Sequence, residues 1–242
     1  MHTHKETDTD SIENMSEHIN QKNVLERKRV QLFFKRSLDI VVSLFCLLVF
    51  TIPFVVIALL IKFDSKGPVF FRQERIGKNG KSFLIWKFRT MVDGAMNYGL
   101  GTNVAKNDLR ITRLGNILRN FGIDELPQLI NVLCGEMSLV GPRPTLAHQV
   151  KEYGWYEKQR LLVRPGIASL PLIEGRNLLS WKEKIDLDIQ YLSNWTFWLD
   201  MKIILRTFWV VLISRKGIYG ASGVNDDFGH TCVDKAEFEP EQ

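Results

Sequence analysis

Apolar positions along this chain first gather into one long run, and everything before it is polar. Residues 1–34 open with acids (Glu6, Asp8, Asp10, Glu13, Glu17) and show no apolar period before Val30, which predicts a disordered tail. The run "LDIVVSLFCLLVFTIPFVVIALLI" then fills residues 38–61 with a single charge, Asp39. As a helix it would reach roughly 36 Å, enough to cross a hydrocarbon core of about 30 Å. A buried core helix is the plain alternative. A cleaved signal peptide fits poorly, because the run begins late and lacks a small-residue cleavage site.

Two features turn a simple crossing into a re-entrant helix over residues 35–62. Pro53 removes a backbone donor in mid-run and predicts a kink there. Basic residues also flank both ends: Lys22, Arg27, Lys28, Arg29, Lys35 and Arg36 before, and Lys62, Lys66, Arg72, Arg75, Lys78 and Lys81 after. Positive flanks stay cytoplasmic, so both ends belong on one side. Asp39, near the entry, suits interfacial depth.

Beyond the run the period changes. Residues 67–91 read as a β-hairpin, with aromatic and β-branched stretches around Asn79-Gly80, a favoured type I′ turn. "GKNGKS" within it resembles the end of a phosphate-binding loop, but Arg75 stands where that motif needs its first glycine. Residues 92–107 read as a loop. Helical spacing returns over 108–120, 125–134 (with Gly135 as C-cap), 146–163 and most of 180–214, and "VRPG" (163–166) reads as a turn. The predicted fold is α+β: a mainly helical cytoplasmic domain with a β-hairpin over residues 63–220, behind the N-terminal re-entrant membrane helix. Residues 221–242 read as a flexible tail.

A net charge of +5 and a pI near 9.1 suit anionic partners: nucleic acid, phosphorylated substrates or an anionic membrane. The long apolar run and the lack of a nucleic-acid motif point away from nucleic acid. Cys46, Cys134 and Cys232 form no close pair, against a disulfide framework or a zinc site. Only His148 lies in the globular body, against a histidine-based centre.

The chemistry gathers in "DELPQLINVLCGEMSLVGPRP", residues 124–144. Pro127 is tolerated in a first helical turn, which places Asp124 and Glu125 at a helix start, where carboxylates and phosphates are favoured. Consecutive residues diverge by about 100° around a helix. One acid can therefore face a phosphorus atom while the other holds a hard cation such as magnesium, beside a diphosphate. The bland reading is an N-cap and a first-turn charge. Arg143 between two prolines, Arg164 in "VRPG", Arg176 in "GRN", Lys87 and Arg89 in "KFRT", and Arg119 supply cations whose forks recognise phosphate oxygens.

"KFRTM", "DELPQL", "GEMSLVGPRP", "VRPG" and "GRN" followed by Trp181 resemble the bacterial sugar transferases, the monotopic phosphoglycosyl transferases, from about Lys35 to Val211. The resemblance implies transfer of a sugar phosphate from a UDP-sugar to undecaprenyl phosphate, with release of UMP and a need for Mg²⁺, at the cytoplasmic face of the bacterial inner membrane. It implies that Asp124 is the nucleophile, that Glu125 is the metal ligand, and that Lys87, Arg119, Arg143, Arg176 and Asp200 bind substrate. A homo-oligomer is compatible with the sequence. Three departures stand out: "ASLPLI" (168–173) where the family often has "TGWAQV", Gly122-Ile123 before the acidic pair in place of Ser-Leu, and "GEMS" for "GDMS". The first falls where it would touch the nucleotide-sugar pocket. The competing class is a non-catalytic, membrane-tethered scaffold that binds anionic lipid.

Overall fold

In a computed structural model the described residues are 28–95, 104 and 108–214. The acidic tail (1–27), most of the 92–107 loop and residues 215–242 lie outside them.

Helix α1 (Arg29–Val49) and helix α2 (Thr51–Asp64) form the long apolar segment. The helix starts at Arg29, inside the stretch read from sequence as tail. The two halves bend by 61°, and the break falls at Phe50, not at Pro53. The reason is local. Proline at position 53 cannot donate to Val49, and its ring collides with that carbonyl, so the ladder ends before it. The helix restarts at Thr51 with Pro53 in its first turn, where a missing N–H costs nothing. Among the described residues no single helix is long and apolar enough to cross a membrane, whereas the bent pair together is.

The segment has a domain side and an open side. Asp39 and Ser43 are buried, and Asp39 accepts a hydrogen bond from the Leu139 N–H at 3.0 Å, which fastens the helix to the domain. Lys35 reaches Asp200 at 2.6 Å, and Arg36 donates to the carbonyls of Val132 and Leu133 at 2.6 and 3.0 Å. On the open side Phe33, Phe45, Leu48, Ile52 and Phe63 are each more than 60% exposed, a band that water would not tolerate at this size.

Strands β1 (Phe70–Ile76) and β2 (Ser82–Phe88) pair antiparallel, in register from Phe70 opposite Phe88 to Ile76 opposite Ser82. Asn79 and Gly80 both take positive φ, 57° and 74°, as a type I′ turn demands. The ladder closes between Gly77 and Lys81, so Lys78 joins the loop and the connection is one residue wider than expected. Alternation in β2 buries Phe83 and Ile85 against Val132 and Met137, and Phe88 packs with Ile61 and Leu118. The long apolar segment, the hairpin and the next helix thus share one apolar contact.

Helix α3 (Arg113–Asn120) is capped by Thr112, whose hydroxyl accepts from the Gly115 N–H. The sequence period over 108–120 overstated it, since Asp108 to Thr112 form a separate turn in which Asp108 grips Arg110. The α-helix expected from residue 125 begins four residues later: a 3₁₀ turn (Ile123–Gln128) carries the acidic pair and leads into α4 (Leu129–Cys134), which ends at Gly135 with φ 82°. Two three-residue strands that the sequence did not reveal, β3 (Ser138–Val140) and β4 (Gly166–Ala168), pair in parallel. Between them the predicted 146–163 helix is cut at Gly154 into α5 (Ala147–Lys151), α6 (Trp155–Lys158) and a 3₁₀ turn (Gln159–Leu162).

"ASLPLI" continues from β4 into α7 (Leu170–Glu174). Helices α8 (Trp181–Ser193) and α9 (Phe197–Trp209) fill most of 180–214, as the spacing expects, with a break between them and with Ser180 and Thr196 as N-caps. Their junction buries Tyr191, Leu192, Trp195 and Ile203 with Val140 and Ala168, the largest core cluster.

Candidate active site

The acidic pair is positioned by a chain of local requirements. Gly122, with φ 65°, turns the backbone out of α3 in a conformation that side chains rarely adopt. The 3₁₀ turn follows, and Pro127 sits inside it without a donor to lose. Asp124 makes no capping bond at this turn or at α4, so the bland reading of it as an N-cap does not hold. Behind the pair, Asn131 is fully buried. Its Oδ1 accepts from the Trp86 N–H at 3.0 Å and its Nδ2 donates to the Leu84 carbonyl at 2.8 Å. Those bonds lock α4 to the edge of β2 and carry Lys87 to the acids.

Glu125 Oε1 accepts from Lys87 Nζ at 2.8 Å and from Arg143 Nη2 at 3.0 Å. Burial opposes its ionisation, but Arg143, Lys87 and Arg176 outweigh that and hold the carboxyl below the usual range. Asp124, 8% exposed, goes the other way. Burial and the neighbouring Glu125 charge push it up to about 6, against the pull of Lys87, Arg119 and Arg143. Two adjacent carboxylates therefore differ: Glu125 is a fixed anion held between cations, and Asp124 is desolvated.

Two cavities meet at Asp124. The first, about 160 Å³, is lined by seven basic residues (Arg75, Lys87, Arg119, Arg143, Arg160, Arg176 and Lys184) against three acids (Asp124, Glu125 and Asp188). Trp181 and Asn177 complete its far wall. The second, about 600 Å³, shares Arg75, Lys87, Val104, Arg119 and Asp124 but continues along Phe70, Phe71 and Phe88 of the hairpin. One is a cationic chamber and the other has an apolar flank.

Of the residues expected to act together, Asp124, Glu125, Lys87, Arg119, Arg143 and Arg176 all line the first cavity. Arg119 is aimed by its Nε bond to Thr90 Oγ1 at 2.9 Å, and Arg176 takes a positive φ of 55° in a 3₁₀ turn. Asp200 does not join them. It is buried, with Lys35 Nζ at 2.6 Å, Tyr191 Oη at 2.7 Å and Trp195 Nε1 at 3.2 Å; it ties α1 to the α8–α9 junction. Arg89 is buried along the second cavity, with its guanidinium donating to the carbonyls of Ser65 and Lys66 and not to the acids.

Sequence reasoning missed Arg160 and Asp188. They pair at 2.6 Å, and Arg160 also donates to Tyr153 Oη at 2.8 Å and to the Arg143 carbonyl at 3.1 Å, bracing the "GPRP" loop from behind. Burial lifts Asp188 to about 6 despite Arg160 beside it. The signal for Asp188 was present: Trp181, Lys184 and Asp188 follow helical spacing on one face of α8. Arg160 carried none, because its helix was read as continuous.

Glu125, the expected metal ligand, and its neighbour Asp124 are the carboxylates that could meet a hard cation here; among the described residues no group of three or more His, Cys, Asp or Glu gathers at one point. That chemistry fits magnesium, which takes one or two carboxylates and fills its shell with phosphate oxygens and water.

A family model described as bacterial sugar transferase matches residues 30–214. The uncharacterized sugar transferase EpsL of Bacillus subtilis is 40% identical over 184 residues, covering 76% of this chain and 90% of that one. A UDP-glucose:undecaprenyl-phosphate glucose-1-phosphate transferase of Klebsiella pneumoniae is 39% identical over 194 residues, 77% of this chain and 42% of the relative. A UDP-N-acetylgalactosamine-undecaprenyl-phosphate N-acetylgalactosaminephosphotransferase of Aeromonas hydrophila is 36% identical over 201 residues, 81% of this chain and 47% of the relative. The chain thus spans less than half the length of the last two.

Proposed function

Because the chain belongs to the bacterial sugar transferase family, we propose that it moves a sugar-1-phosphate from a UDP-sugar to undecaprenyl phosphate and releases UMP. The reaction would start polysaccharide assembly on a lipid carrier. Two relatives are named for this chemistry with different sugars, and the site has the parts for it.

The donor diphosphate belongs in the cationic chamber, where Arg143, Arg176, Arg119 and Lys87 meet phosphate oxygens. An Asp124 carboxylate oxygen attacks the sugar-bearing phosphorus. The bond from that phosphorus to the UMP oxygen breaks, and UMP leaves with the bonding pair. A carboxylate is a weak nucleophile, so it needs a neutralised electrophile and loss of its own hydration; the cations provide the first and burial the second. Glu125, released from Lys87 and Arg143 as these turn to the phosphates, would hold the magnesium ion, which neutralises diphosphate charge when bound. In the second half, an oxygen of the acceptor phosphate attacks the same phosphorus and the Asp124 carboxylate departs, regenerated.

The observation that carries this reading is that Asp124 lines both cavities. A group that takes the phosphosugar from one chamber and yields it to another must be reachable from each, and the acceptor side is the one with phenylalanines. The bent pair α1–α2 would sit in the membrane as a re-entrant hairpin, with the domain on the cytoplasmic face, where nucleotide sugars are found. Phe54 and Ile57 of α2 pack against the cluster of Ile61, Phe88 and Leu118, which in that arrangement would hold the second cavity close to the bilayer.

The test is UMP release by detergent-solubilised protein from a panel of UDP-sugars, with intact-mass measurement of protein given donor and no acceptor. A mass gain of one sugar phosphate is expected. UMP formed only when both substrates are present, with no adduct, would rule out the two-step route.

A further inference from the structure

Away from Asp124 lies another charged cavity, of about 340 Å³, with no lining residue in common with the chamber on Glu125. It opens where the first turns of α1 meet the hairpin loop and the "VRPG" turn. Five cations line it (Arg29, Lys35, Arg36, Lys78 and Arg164) against one acid, Asp39. The fold uses some of this charge. Lys35 is spent on Asp200, Arg36 on the last carbonyls of α4, and Asp39 accepts from Leu139. The side chains of Arg29 and Lys78 bond to no described residue, and the Arg164 side chain engages only its Nε, with the Gly135 carbonyl at 2.7 Å.

These charges face one another at a cost. Burial and Arg164 together draw Lys78 below its ordinary pKa, and burial and Arg36 do the same to Arg164. An anion seated among them would remove that repulsion. Beside Asn79, Ser138 and Tyr191 the rest of the wall is apolar, with Leu32, Val140, Leu162, Val163, Leu192 and Trp195. At the rim, α1 turns Val30, Phe33 and Phe34 outward, 70%, 68% and 59% exposed. A soluble phosphate has no use for that apolar face, but an amphiphile has.

We propose that this cavity is a headgroup site for an anionic phospholipid, its phosphate held by Lys78, Arg164 and Arg29 and its chains laid along the outward face of α1. The bound lipid would pin the base of the membrane segment to the hairpin loop. No residue of the transfer reaction takes part, so the site stands or falls apart from that chemistry.

The experiment reads thermal unfolding of the full chain in dodecylmaltoside, titrated with dioctanoyl phosphatidylglycerol, dioctanoyl phosphatidylcholine or inorganic phosphate. Phosphatidylglycerol should raise Tm by about 3–6 °C near saturation, and the other two should not at equal concentration. Lys78→Glu, on an exposed loop, should fold as the wild type does and shift the phosphatidylglycerol midpoint by roughly tenfold or more. Arg164→Gln should shift it in the same direction; if that variant fails to fold, Lys78→Glu decides alone. An equal rise with phosphatidylcholine, or an unshifted midpoint in Lys78→Glu, overturns the proposal. An equal rise with inorganic phosphate overturns it in favour of a soluble ligand. Turnover is not measured, so either result leaves the sugar-phosphate reading untouched.

Discussion

At the scale of single residues, the adjacent acids have unlike surroundings and should respond unlike. Asp124→Asn keeps the shape of a residue that caps nothing, so the fold should survive while UMP release and the covalent adduct vanish; near-normal turnover would remove Asp124 as nucleophile. Arg143→Lys conserves charge but loses the planar fork presented by the prolines of "GPRP". The expected loss is about 1–3 kcal/mol in kcat/KM, the range of a charge-assisted hydrogen bond, read in the same UMP assay. Asp200 makes the opposite prediction. Removing it leaves Lys35 and Tyr191 without their carboxylate in a buried setting, so Asp200→Ala should cost about 3–5 kcal/mol of stability. The KM for the UDP-sugar should not move in protein that still folds. A raised KM at unchanged Tm would return Asp200 to the substrate site.

At the scale of elements, the site depends on how closely helices approach the hairpin. Gly115 of α3 faces the backbone of Thr90, where an added Cβ would stand 2.0 Å from the carbonyl oxygen. Gly115→Ala must push α3 away, and α3 carries Arg119, which Thr90 aims. Overpacking of this kind costs about 1–3 kcal/mol. The substitution should therefore lower Tm and weaken donor binding together, as measured by unfolding and by KM. A fall in Tm with unchanged KM would separate Arg119 from the donor. The elements also show where sequence patterns ran short. The hairpin, α4 and the Gly135 cap were legible, because period-2 alternation, an Asn-Gly turn and a terminal glycine are local signals. The β3–β4 pair was not, because three-residue strands are too short to show a period. The break at Asn194–Thr196 was also hidden, because Trp195 is apolar enough to continue either helical pattern.

At the scale of the whole molecule, the long apolar segment is docked at both limbs. Asp39, Lys35 and Arg36 fasten α1, and Phe54, Ile57 and Ile61 fasten α2. A re-entrant arrangement places residue 11 and the domain on one side. In a variant without the three native cysteines, single cysteines at Ser11 and at the exposed Leu109 should both resist a membrane-impermeant thiol reagent in intact cells and react after lysis. Labelling of the Ser11 site alone before lysis would show a full crossing. Because both limbs are held by the domain, Pro53→Leu should by itself leave that pattern unchanged; a change would mean that proline, and not docking, sets the topology.

The sequence by itself determined the long apolar segment, the hairpin, the acidic pair and most of the cations around it. Each is written in a run, a turn signal or a motif that depends on residues close in the chain. Only the tertiary structure decided which cations reach the acids. Arg164 and Arg89 had the same local promise as Arg143 and Arg176, yet their guanidinium groups satisfy carbonyls elsewhere. It also placed Asp200 with Lys35, 165 residues away in the chain, and brought Arg160 and Asp188 behind the "GPRP" loop. Those assignments turn on which buried carbonyls and carboxylates lack a partner once the core closes, and that is a property of the packed chain that no local stretch carries.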